Sequence, residues 1–377
     1  MDRPPLLPKN QRAFKWLPVL AILLFTSQMY PQQKKVRIGV IGLTHTHVHW
    51  IFNTPQEAFE IVGIVEPDKA LALRYATQYE FPMDMVYDSM DELIAAKKPE
   101  AVTAFGSIYE HLKIVETCAP LGIHVMVEKP LAVSLEHARK MEKLAKEHNI
   151  HLLTNYETTW YPTNHKAYEL IKQDSTIGAL RKVVVRDGHR GPKKIGVDQE
   201  FLEWLTDPEQ NGGGAIIDFG CYGANLLTWI LEGERPKKVT AITMQQQPEN
   251  NPKVDDEAII LLDYGTTVAV IQASWNWPIG RKDMEIYGLK GAIYADNRND
   301  LRVRVASGYD GFDEEQMTLP ERDGPYNDPF VYFSAVIRGD VQVGAYDLSS
   351  LANNMIVMEL LDAAIRSAKT QQTIELK

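Results

Sequence analysis

From about residue 36 to residue 154, short apolar runs alternate with segments in which apolar residues recur at helical spacing. We predict that the apolar runs are strands, namely Val36–Ile41, Ile61–Val65, Ala101–Phe105, His124–Val127 and His151–Thr154. Short strands that alternate with helices indicate a parallel sheet with crossover helices. Ser134 is the predicted N-cap of one of these helices, because apolar residues follow it at helical spacing.

After residue 155 the predicted strands become longer, and polar and apolar residues partly alternate within them. These strands are Lys182–Arg186, Lys238–Met244, Ala258–Leu262, Thr267–Ala273, Asp283–Tyr287 and Ala292–Ala295. Gly265, Gly288 and Gly291 supply turn signals, so we expect hairpins and a largely antiparallel sheet. Helical periodicity returns over Leu348–Lys369. We therefore expect a first domain over residues 31–155 and a second, substrate-binding domain over residues 156–377.

The first thirty residues differ from the rest of the chain. An apolar run from Leu17 to Phe25 follows four basic residues, which are Arg3, Lys9, Arg12 and Lys15. A basic segment before a short apolar run is typical of a secretory signal. We therefore predict that residues 1–30 are a signal segment and that the protein is exported to the periplasm. A disordered tail and an uncleaved N-terminal anchor are the alternatives, because no small-x-small cleavage site stands out after Phe25.

Composition narrows the choice of partners. The chain has 377 residues and a formal net charge of −10, and this acidic balance argues against nucleic acid or an anionic membrane as a partner. We expect no stable membrane partner. Its two cysteines, Cys118 and Cys221, are too few for a disulfide framework.

A glycine-containing turn follows the first predicted strand, in the place of a dinucleotide-binding fingerprint. Such glycines let the backbone approach a pyrophosphate at a helix N-terminus. Only Gly42 is kept here, and Thr44 and His47 stand where the other two glycines are expected. Glu66 ends the second strand, near the spacing at which an acidic side chain binds the adenosine ribose. It favours NAD over NADP, although a solvated turn residue is the alternative interpretation.

Three alternating histidines, His45, His47 and His49, suggest a metal site. No nearby carboxylate or cysteine in the sequence completes a ligand set, so we predict that no metal is bound. The histidines would instead meet the phosphates of the cofactor. We therefore expect Gly42, Thr44, His45 and His47 to contact it.

Two further segments resemble the signatures of the glucose-fructose oxidoreductase and inositol dehydrogenase family. The first is Glu128-Lys129-Pro130 at the end of the fifth strand, and the second is the glycine-rich run 212–225, which contains Asp218 and Tyr222. The resemblance covers residues 36–377. It implies an α/β protein with a doubly wound Rossmann domain and a C-terminal α/β domain whose sheet is open. It also implies catalytic roles for Lys129, Asp218 and Tyr222. A solvated turn at Glu128-Lys129-Pro130 is the alternative.

The chemistry of these side chains agrees with hydride transfer. Oxidation of a carbinol needs a group that removes the hydroxyl proton. Confinement near a cationic nicotinamide can lower the pKa of Lys129, so that it could act as the base. Tyr222 offers a weak acid, and Asp218 could orient either group.

Residues that follow other strand ends complete the predicted site. We expect further cofactor contacts from Ser107, His111, Glu128 and Lys129. Aromatic and polar groups that suit a carbohydrate predict a substrate site. Its expected members are Asn155, Tyr156, Trp160, His189, Arg190 and Tyr222. Ordinary rim residues are the alternative interpretation of this set.

The sequence thus predicts an oxidoreductase that uses NAD, or NADP, to act on a sugar or a sugar-like polyol. One alternative is a glycoside-cleaving enzyme in which NAD transiently oxidises the sugar. Another is a non-catalytic sugar-binding protein. We also expect a homo-oligomer that associates through the sheet of the C-terminal domain.

Overall fold

Two sheets organise the chain, and the first contains six parallel strands in the order β3-β2-β1-β4-β5-β6. The computed structural model describes residues 34–172 and 175–376, so the predicted signal segment 1–30 lies outside the described residues. The strands of this sheet are β1 (Val36–Ile41), β2 (Phe59–Val65), β3 (Val86–Tyr87), β4 (Ala101–Ala104), β5 (His124–Glu128) and β6 (Leu152–Asn155). The predicted parallel sheet is confirmed, with the two-residue β3 added to it.

Helices and 3-10 turns connect these strands. The helices are α1 (Val48–Asn53), α2 (Lys69–Tyr79), α3 (Met90–Lys97), α4 (His111–Cys118) and α5 (Leu135–Glu147). Short 3-10 helices span Met83–Met85, Ile108–Glu110, Ala119–Leu121 and Glu157–Trp160. Ser134 caps α5 as predicted, because its hydroxyl accepts a hydrogen bond from the His137 N–H at 3.2 Å.

The second sheet has nine strands in the order β14-β13-β12-β11-β7-β10-β9-β8-β15. They are β7 (Leu180–Gly188), β8 (Lys238–Met244), β9 (Glu257–Asp263), β10 (Val268–Ser274), β11 (Arg281–Gly288), β12 (Gly291–Ala295), β13 (Asp300–Ser307), β14 (Gly311–Thr318) and β15 (Ile374–Glu375). All pairs are antiparallel except β7 with β10, which confirms the largely antiparallel prediction. The sequence pattern missed β13, β14 and β15. Almost every residue of the edge strand β14 is exposed, which leaves no apolar face to recognise.

The second half also contains helices, some of which pack on this sheet and some of which contact elements of the first half. They are α6 (Pro162–Lys172), α7 (Pro192–Ile195), α8 (Gln199–Leu205), α9 (Pro208–Asn211), α10 (Ala215–Asp218), α11 (Gly220–Ile230), α12 (Pro329–Arg338) and α13 (Leu351–Thr370). The last helix was predicted, and Ser350 caps it by accepting a hydrogen bond from Asn353 N–H at 3.2 Å. Within the described residues, no helix is both long and apolar enough to span a membrane.

Helix α12 crosses back to the first sheet and contacts β1 and β2. The ring of Phe330 lies 6.1 Å from that of Phe59 and 6.2 Å from that of Phe105. From Lys35 onward the chain accordingly forms one compact unit. The division into domains 31–155 and 156–377 therefore stays a prediction, although each sheet lies within one of the two ranges.

We predict that Phe330→Ala lowers the free energy of unfolding by about 3–5 kcal/mol, because a fully buried ring is removed from the contact between α12 and the first sheet. Chemical denaturation measures the effect. Tyr309→Ala, at a side chain that is 100% exposed, is the matched control and should change stability by less than about 0.5 kcal/mol. Equal losses in the two variants would contradict the packing argument.

Candidate active site

The loop after β1 depends on a glycine. Gly42 has a φ of +80°, and a Cβ atom added to it would lie 2.8 Å from the backbone nitrogen of Gly106. A side chain is excluded both by the left-handed conformation and by the neighbouring loop after β4. The predicted need for close backbone approach at this position is therefore real in the structure.

Glu66 holds this loop from the end of β2. Its two carboxylate oxygens accept hydrogen bonds from the backbone N–H groups of Leu43 and Asp68, each at 3.0 Å. The residue is only 3% exposed, which rules out the interpretation as a solvated turn residue. Burial raises the pKa of its carboxyl above the usual value, in spite of these hydrogen bonds.

A buried chain of hydrogen bonds starts at His47. Its Nδ1 lies 2.7 Å from Oε2 of Glu128, and Oε1 of Glu128 accepts a hydrogen bond from the Asn155 amide at 2.8 Å. Asn155 in turn accepts a hydrogen bond from the indole N–H of Trp160 at 3.0 Å. These hydrogen bonds link the loop after β1 to the ends of β5 and β6. His47, Glu128 and Asn155 were all predicted site residues, but the sequence did not show that they contact one another.

The structure corrects one premise of the metal prediction. A carboxylate does lie near the histidines, because His45, His47 and Glu128 place one ligand atom each within 4.8 Å of one another. The Nδ1 atoms of both histidines are already hydrogen-bonded, since Nδ1 of His45 accepts from the His47 backbone N–H at 3.0 Å and Nδ1 of His47 pairs with Glu128. That no metal is bound stays a prediction.

A segment from the second half covers the same loop. The ring of His45 lies 4.9 Å from that of Phe201 and 5.5 Å from that of Trp204, both on α8. Two further contacts fix the segment, namely the ion pair of Glu200 with Arg74 and the hydrogen bond of the Ser107 hydroxyl to Gln210 at 2.9 Å. Burial lowers the pKa of His45 well below its usual value, so the imidazole is neutral. The contact between α8 and the loop after β1 could not be predicted, because no local sequence pattern links the two segments.

Other predicted cofactor contacts keep polar atoms without partners. His111 is fully buried, and its Nδ1 donates to the carbonyl of Leu131 at 3.1 Å. Its Nε2 has no hydrogen-bond partner among the described residues, and the same holds for the hydroxyl of Thr46, which was not a predicted contact. Burial lowers the pKa of His111 to about 4, so Nε2 is a neutral acceptor. The side chain of Thr44 is partly exposed. Polar atoms left in this way fit a polar ligand at this edge of the sheet.

Lys129 and Asp218 form a buried ion pair. The ammonium of Lys129 donates to the Asp218 carboxylate and, at 3.0 Å, to the Asp218 backbone carbonyl. The other carboxylate oxygen accepts a hydrogen bond from the Trp275 indole at 2.9 Å. The peptide bond between Lys129 and Pro130 is cis. The alternative interpretation of Glu128-Lys129-Pro130 as a solvated turn is therefore wrong.

The protein's own groups shift the pKa of Lys129 in the direction opposite to the lowering that a nearby cationic nicotinamide would cause. Burial alone would lower the pKa of Lys129, but the charge of Asp218 outweighs it and raises the pKa above the usual value. Burial would likewise raise the pKa of Asp218, whereas Lys129 lowers it. The pair is therefore an ammonium and a carboxylate at neutral pH.

Tyr222 lies beside this pair with two ammonium groups near its ring. Nζ of Lys129 is 5.3 Å and Nζ of Lys282 is 5.2 Å from the ring centroid, within the range of cation–π attraction. Burial raises the pKa of the Tyr222 phenol well above its usual value. Tyr222 is therefore a neutral hydroxyl at physiological pH and cannot readily give up its proton.

A cavity of 410 Å³ adjoins these groups. Phe219 and Lys282 line it, together with Glu157, Tyr161 and His189. Lys282 forms an ion pair with Glu157, and although burial opposes ionisation, this lysine lowers the pKa of Glu157 to about 2. The sequence analysis missed both residues. Lys282 could have been found only by knowing that β11 pairs with β7, because this register sets Lys282 opposite Asp187.

The predicted substrate residues divide between this cavity and its surroundings. His189 lines the cavity, and burial lowers its pKa to about 4, so its imidazole is neutral. Tyr156 is buried behind it, with its ring at 5.5 Å from that of Tyr222. Asn155 is buried in the hydrogen-bond chain, while Arg190 is exposed and does not line the cavity. Trp160 lines a different cavity.

Comparison with known families identifies both halves of the chain. Residues 36–156 match the model of an oxidoreductase family described as an NAD-binding Rossmann fold. Residues 165–294 match the model of the GFO/IDH/MocA C-terminal domain. A trans-1,2-dihydrobenzene-1,2-diol dehydrogenase from Xenopus tropicalis is 24% identical over 320 residues, which are 83% of this chain and 91% of the relative.

Solved structures show the same fold. An inositol dehydrogenase homologue from Azotobacter vinelandii, in complex with NAD+, has a TM-score of 0.78 at 17% identity and covers 92% of this chain and 98% of its own. An aldose-aldose oxidoreductase from Caulobacter crescentus, in complex with glycerol, has a TM-score of 0.74 at 19% identity, with coverages of 91% and 100%. The two family models that match residues 36–156 and 165–294 describe one family, and together they span more than half of the sequence. The chain belongs to the GFO/IDH/MocA family of oxidoreductases and contains an NAD-binding Rossmann domain.

Proposed function

We propose that this protein transfers hydride between NAD and a CH–OH group of a sugar or sugar-like polyol, with Lys129, Asp218 and Tyr222 at the reacting oxygen. The observation that carries the proposal is the buried ion pair of Lys129 and Asp218 beside a cavity lined by polar and aromatic groups. Aromatic faces and paired polar groups suit carbohydrate. The names of the dihydrodiol and inositol dehydrogenase relatives support a hydroxyl-bearing substrate.

The edge of the first sheet offers the place for the dinucleotide. Gly42 brings the loop backbone to the sheet edge, and Glu66 fixes that loop. The unpartnered atoms of Thr46 and His111 could bind polar groups of the ligand. Bound NAD would supply the acceptor or donor of hydride. A carboxylate at Glu66 favours NAD over NADP, because a 2′-phosphate would meet a negative charge.

The charge state of Lys129 defines its part in the reaction. Two of its three N–H groups point to the Asp218 carboxylate and carbonyl, which leaves one donor for a substrate oxygen. In the direction of reduction, an ammonium in this position stabilises the negative charge that develops on that oxygen and gives a proton to it, which leaves a neutral amine. In the direction of oxidation, the neutral amine, formed when the ammonium has released a proton to water, accepts the hydroxyl proton. Asp218 holds the ammonium in place and keeps it charged. Tyr222 can add a second hydrogen bond through its neutral hydroxyl.

We predict that Lys129→Met lowers turnover at least ~10²-fold, because the cation that pairs with Asp218 at the reacting oxygen is lost. NADH formation from polyols and sugars at saturating substrate measures the effect. Lys140→Met, on the exposed face of α5, is the matched control and should retain full activity. Nearly unchanged turnover in Lys129→Met would remove this lysine from the mechanism.

A second control must separate lost catalysis from lost folding, because removing one partner of a buried ion pair lowers the free energy of unfolding by about 3–5 kcal/mol. The double variant Lys129→Met with Asp218→Asn removes both charges and still offers an amide oxygen to Trp275. It should unfold at a higher temperature than Lys129→Met and be equally inactive.

Cleavage of an aryl glycoside by the wild type, without net NADH formation, would instead favour the glycoside-cleaving alternative. Purified protein that neither contains nor binds NAD or NADP would contradict the proposed function as a whole.

We predict that Gly42→Ala weakens NAD binding at least ~10-fold, which corresponds to about 1.4 kcal/mol. The added Cβ would force the loop away from Gly106. Gly122→Ala is a matched control, because Gly122 has a similar φ of +70° and nothing within 4 Å of the place that a Cβ would take. Both variants should lose about 1–2 kcal/mol of stability from the left-handed backbone. Calorimetric titration with NAD should show normal affinity in Gly122→Ala, and a normal affinity in Gly42→Ala would contradict the assignment of this loop.

We further propose that copies of this chain associate through the outer face of the second sheet. Ile242, Leu261 and Val268 expose 53%, 43% and 39% of their surface there, and their strands β8, β9 and β10 are adjacent. Apolar side chains collected on one sheet face mark interaction surfaces.

Export to the periplasm rests on residues 1–30 and stays a prediction.

A further inference from the structure

A second cavity, of 260 Å³, also involves residues of the 3-10 helix Glu157–Trp160 but is distinct from the 410 Å³ cavity beside Lys129 and Asp218, which is here called the catalytic cavity. Glu157 lines the catalytic cavity, whereas Thr159 and Trp160 line the second one. Among the described residues, none lines both cavities. The volume is below the ~300–1,000 Å³ of pockets that hold drug-sized ligands, so it suits a small molecule.

Arg322 is the cation of this second cavity. Its Nη1 donates to the backbone carbonyl of Tyr326 at 3.1 Å, and its guanidinium carbon lies 5.1 Å from the centroid of the Tyr326 ring. It forms no ion pair with any carboxylate of residues 34–172 or 175–376. Asp347 also lines the cavity, but its carboxylate accepts a hydrogen bond from the backbone N–H of Gly344 at 2.6 Å. The partly buried guanidinium therefore keeps donors that no acceptor in the described part of the chain takes up.

The contact of Arg322 with His165 supports this interpretation. Nε2 of His165 lies 2.8 Å from the carbonyl of Thr159, which can only accept, and 2.9 Å from Nη1 of Arg322, which can only donate. A single imidazole nitrogen cannot donate to the first and accept from the second at the same time. Burial lowers the pKa of His165 to about 4, so the neutral ring adds no second positive charge. An added acceptor in the cavity would relieve this conflict.

Hydroxyl and aromatic groups form the rest of the wall. The hydroxyls of Thr159 and Ser349 are buried and have no hydrogen-bond partner among the described residues. Tyr168 and Trp229 stack on each other with ring centroids 4.5 Å apart, and both line the cavity. Unpaired hydroxyls suit a ligand that carries hydroxyl groups, and aromatic walls suit a ring with an apolar face.

We propose that this cavity binds a small hydroxylated ring that carries one carboxylate, a ligand of the uronic acid class. One guanidinium matches one carboxylate, which it can bind with two parallel hydrogen bonds. A phosphate dianion fits less well, because its second negative charge meets no further cation among the described lining residues and is repelled by Asp347. Trp160 connects this site to the catalytic one, since it lines the cavity and donates to Asn155.

Titration of the purified protein with D-glucuronate, followed by tryptophan fluorescence and calorimetry, tests the proposal. Trp160 and Trp229 line the cavity and report on its occupation. We expect saturable binding of D-glucuronate, much weaker binding of neutral D-glucose, and weaker binding of glucose 6-phosphate. Arg322→Gln should reduce the affinity for D-glucuronate at least ~10-fold. Arg322→Lys keeps the positive charge but lacks the planar guanidinium that binds a carboxylate with two hydrogen bonds, so it should recover part of the affinity for D-glucuronate.

Control variants separate the two cavities. Arg298→Gln changes an arginine that lines the catalytic cavity and pairs with Glu321, and it should leave D-glucuronate binding unchanged. Lys129→Met should retain this binding while it loses turnover, so failure of this proposal and failure of the proposed function are distinguishable. Loss of binding in Arg298→Gln but not in Arg322→Gln would overturn the proposal. So would glucose or glucose 6-phosphate binding as tightly as glucuronate, or no binding of glucuronate to folded wild type.

Discussion

The buried pair of Lys129 and Asp218 is the interaction on which the site depends. Two charges taken out of water must be paired and hydrogen-bonded, or the cost of desolvation is not offset. Lys129 follows the last residue of β5 in the first sheet, and Asp218 ends α10 on the second sheet. The pair therefore brings the two sheets together at one point, and Trp275 satisfies the remaining carboxylate oxygen. A reaction centre built on such a pair is positioned by both halves of the chain.

The hydrogen-bond chain of His47, Glu128, Asn155 and Trp160 works in a similar way inside the first half. Each member is bonded to the next, so the ends of β1, β5 and β6 are fixed with respect to one another. Buried networks of this kind are stabilising only when their members are satisfied. A histidine thus takes part in this network at the position where the dinucleotide fingerprint has a glycine. Its imidazole binds the glutamate that directly precedes Lys129.

Much of the fold could be read from the sequence, because buried strands and amphipathic helices leave periodic patterns. Contacts between distant residues could not. His47 and Glu128 are 81 positions apart, and Lys129 and Asp218 are 89 apart. The second pair was anticipated as a joint site only through family resemblance. Lys282 was missed because β11 pairs with β7 and not with β10, which precedes it in the chain. Strand neighbours that are not consecutive leave no local signal in the sequence.

The return of α12 to the first sheet has a consequence for synthesis on the ribosome. Residues 36–155 contain every strand of that sheet, yet the apolar surface around Phe59 and Phe105 is covered only when Phe330 has been made. Domains usually fold as units during translation, N-terminal part first. Helices α1 and α2 already cover part of this face, but the surface that α12 covers stays exposed while about half of the chain is added. A nascent chain of this protein thus shows an aggregation-prone surface until late in its synthesis, which is the situation that chaperones serve.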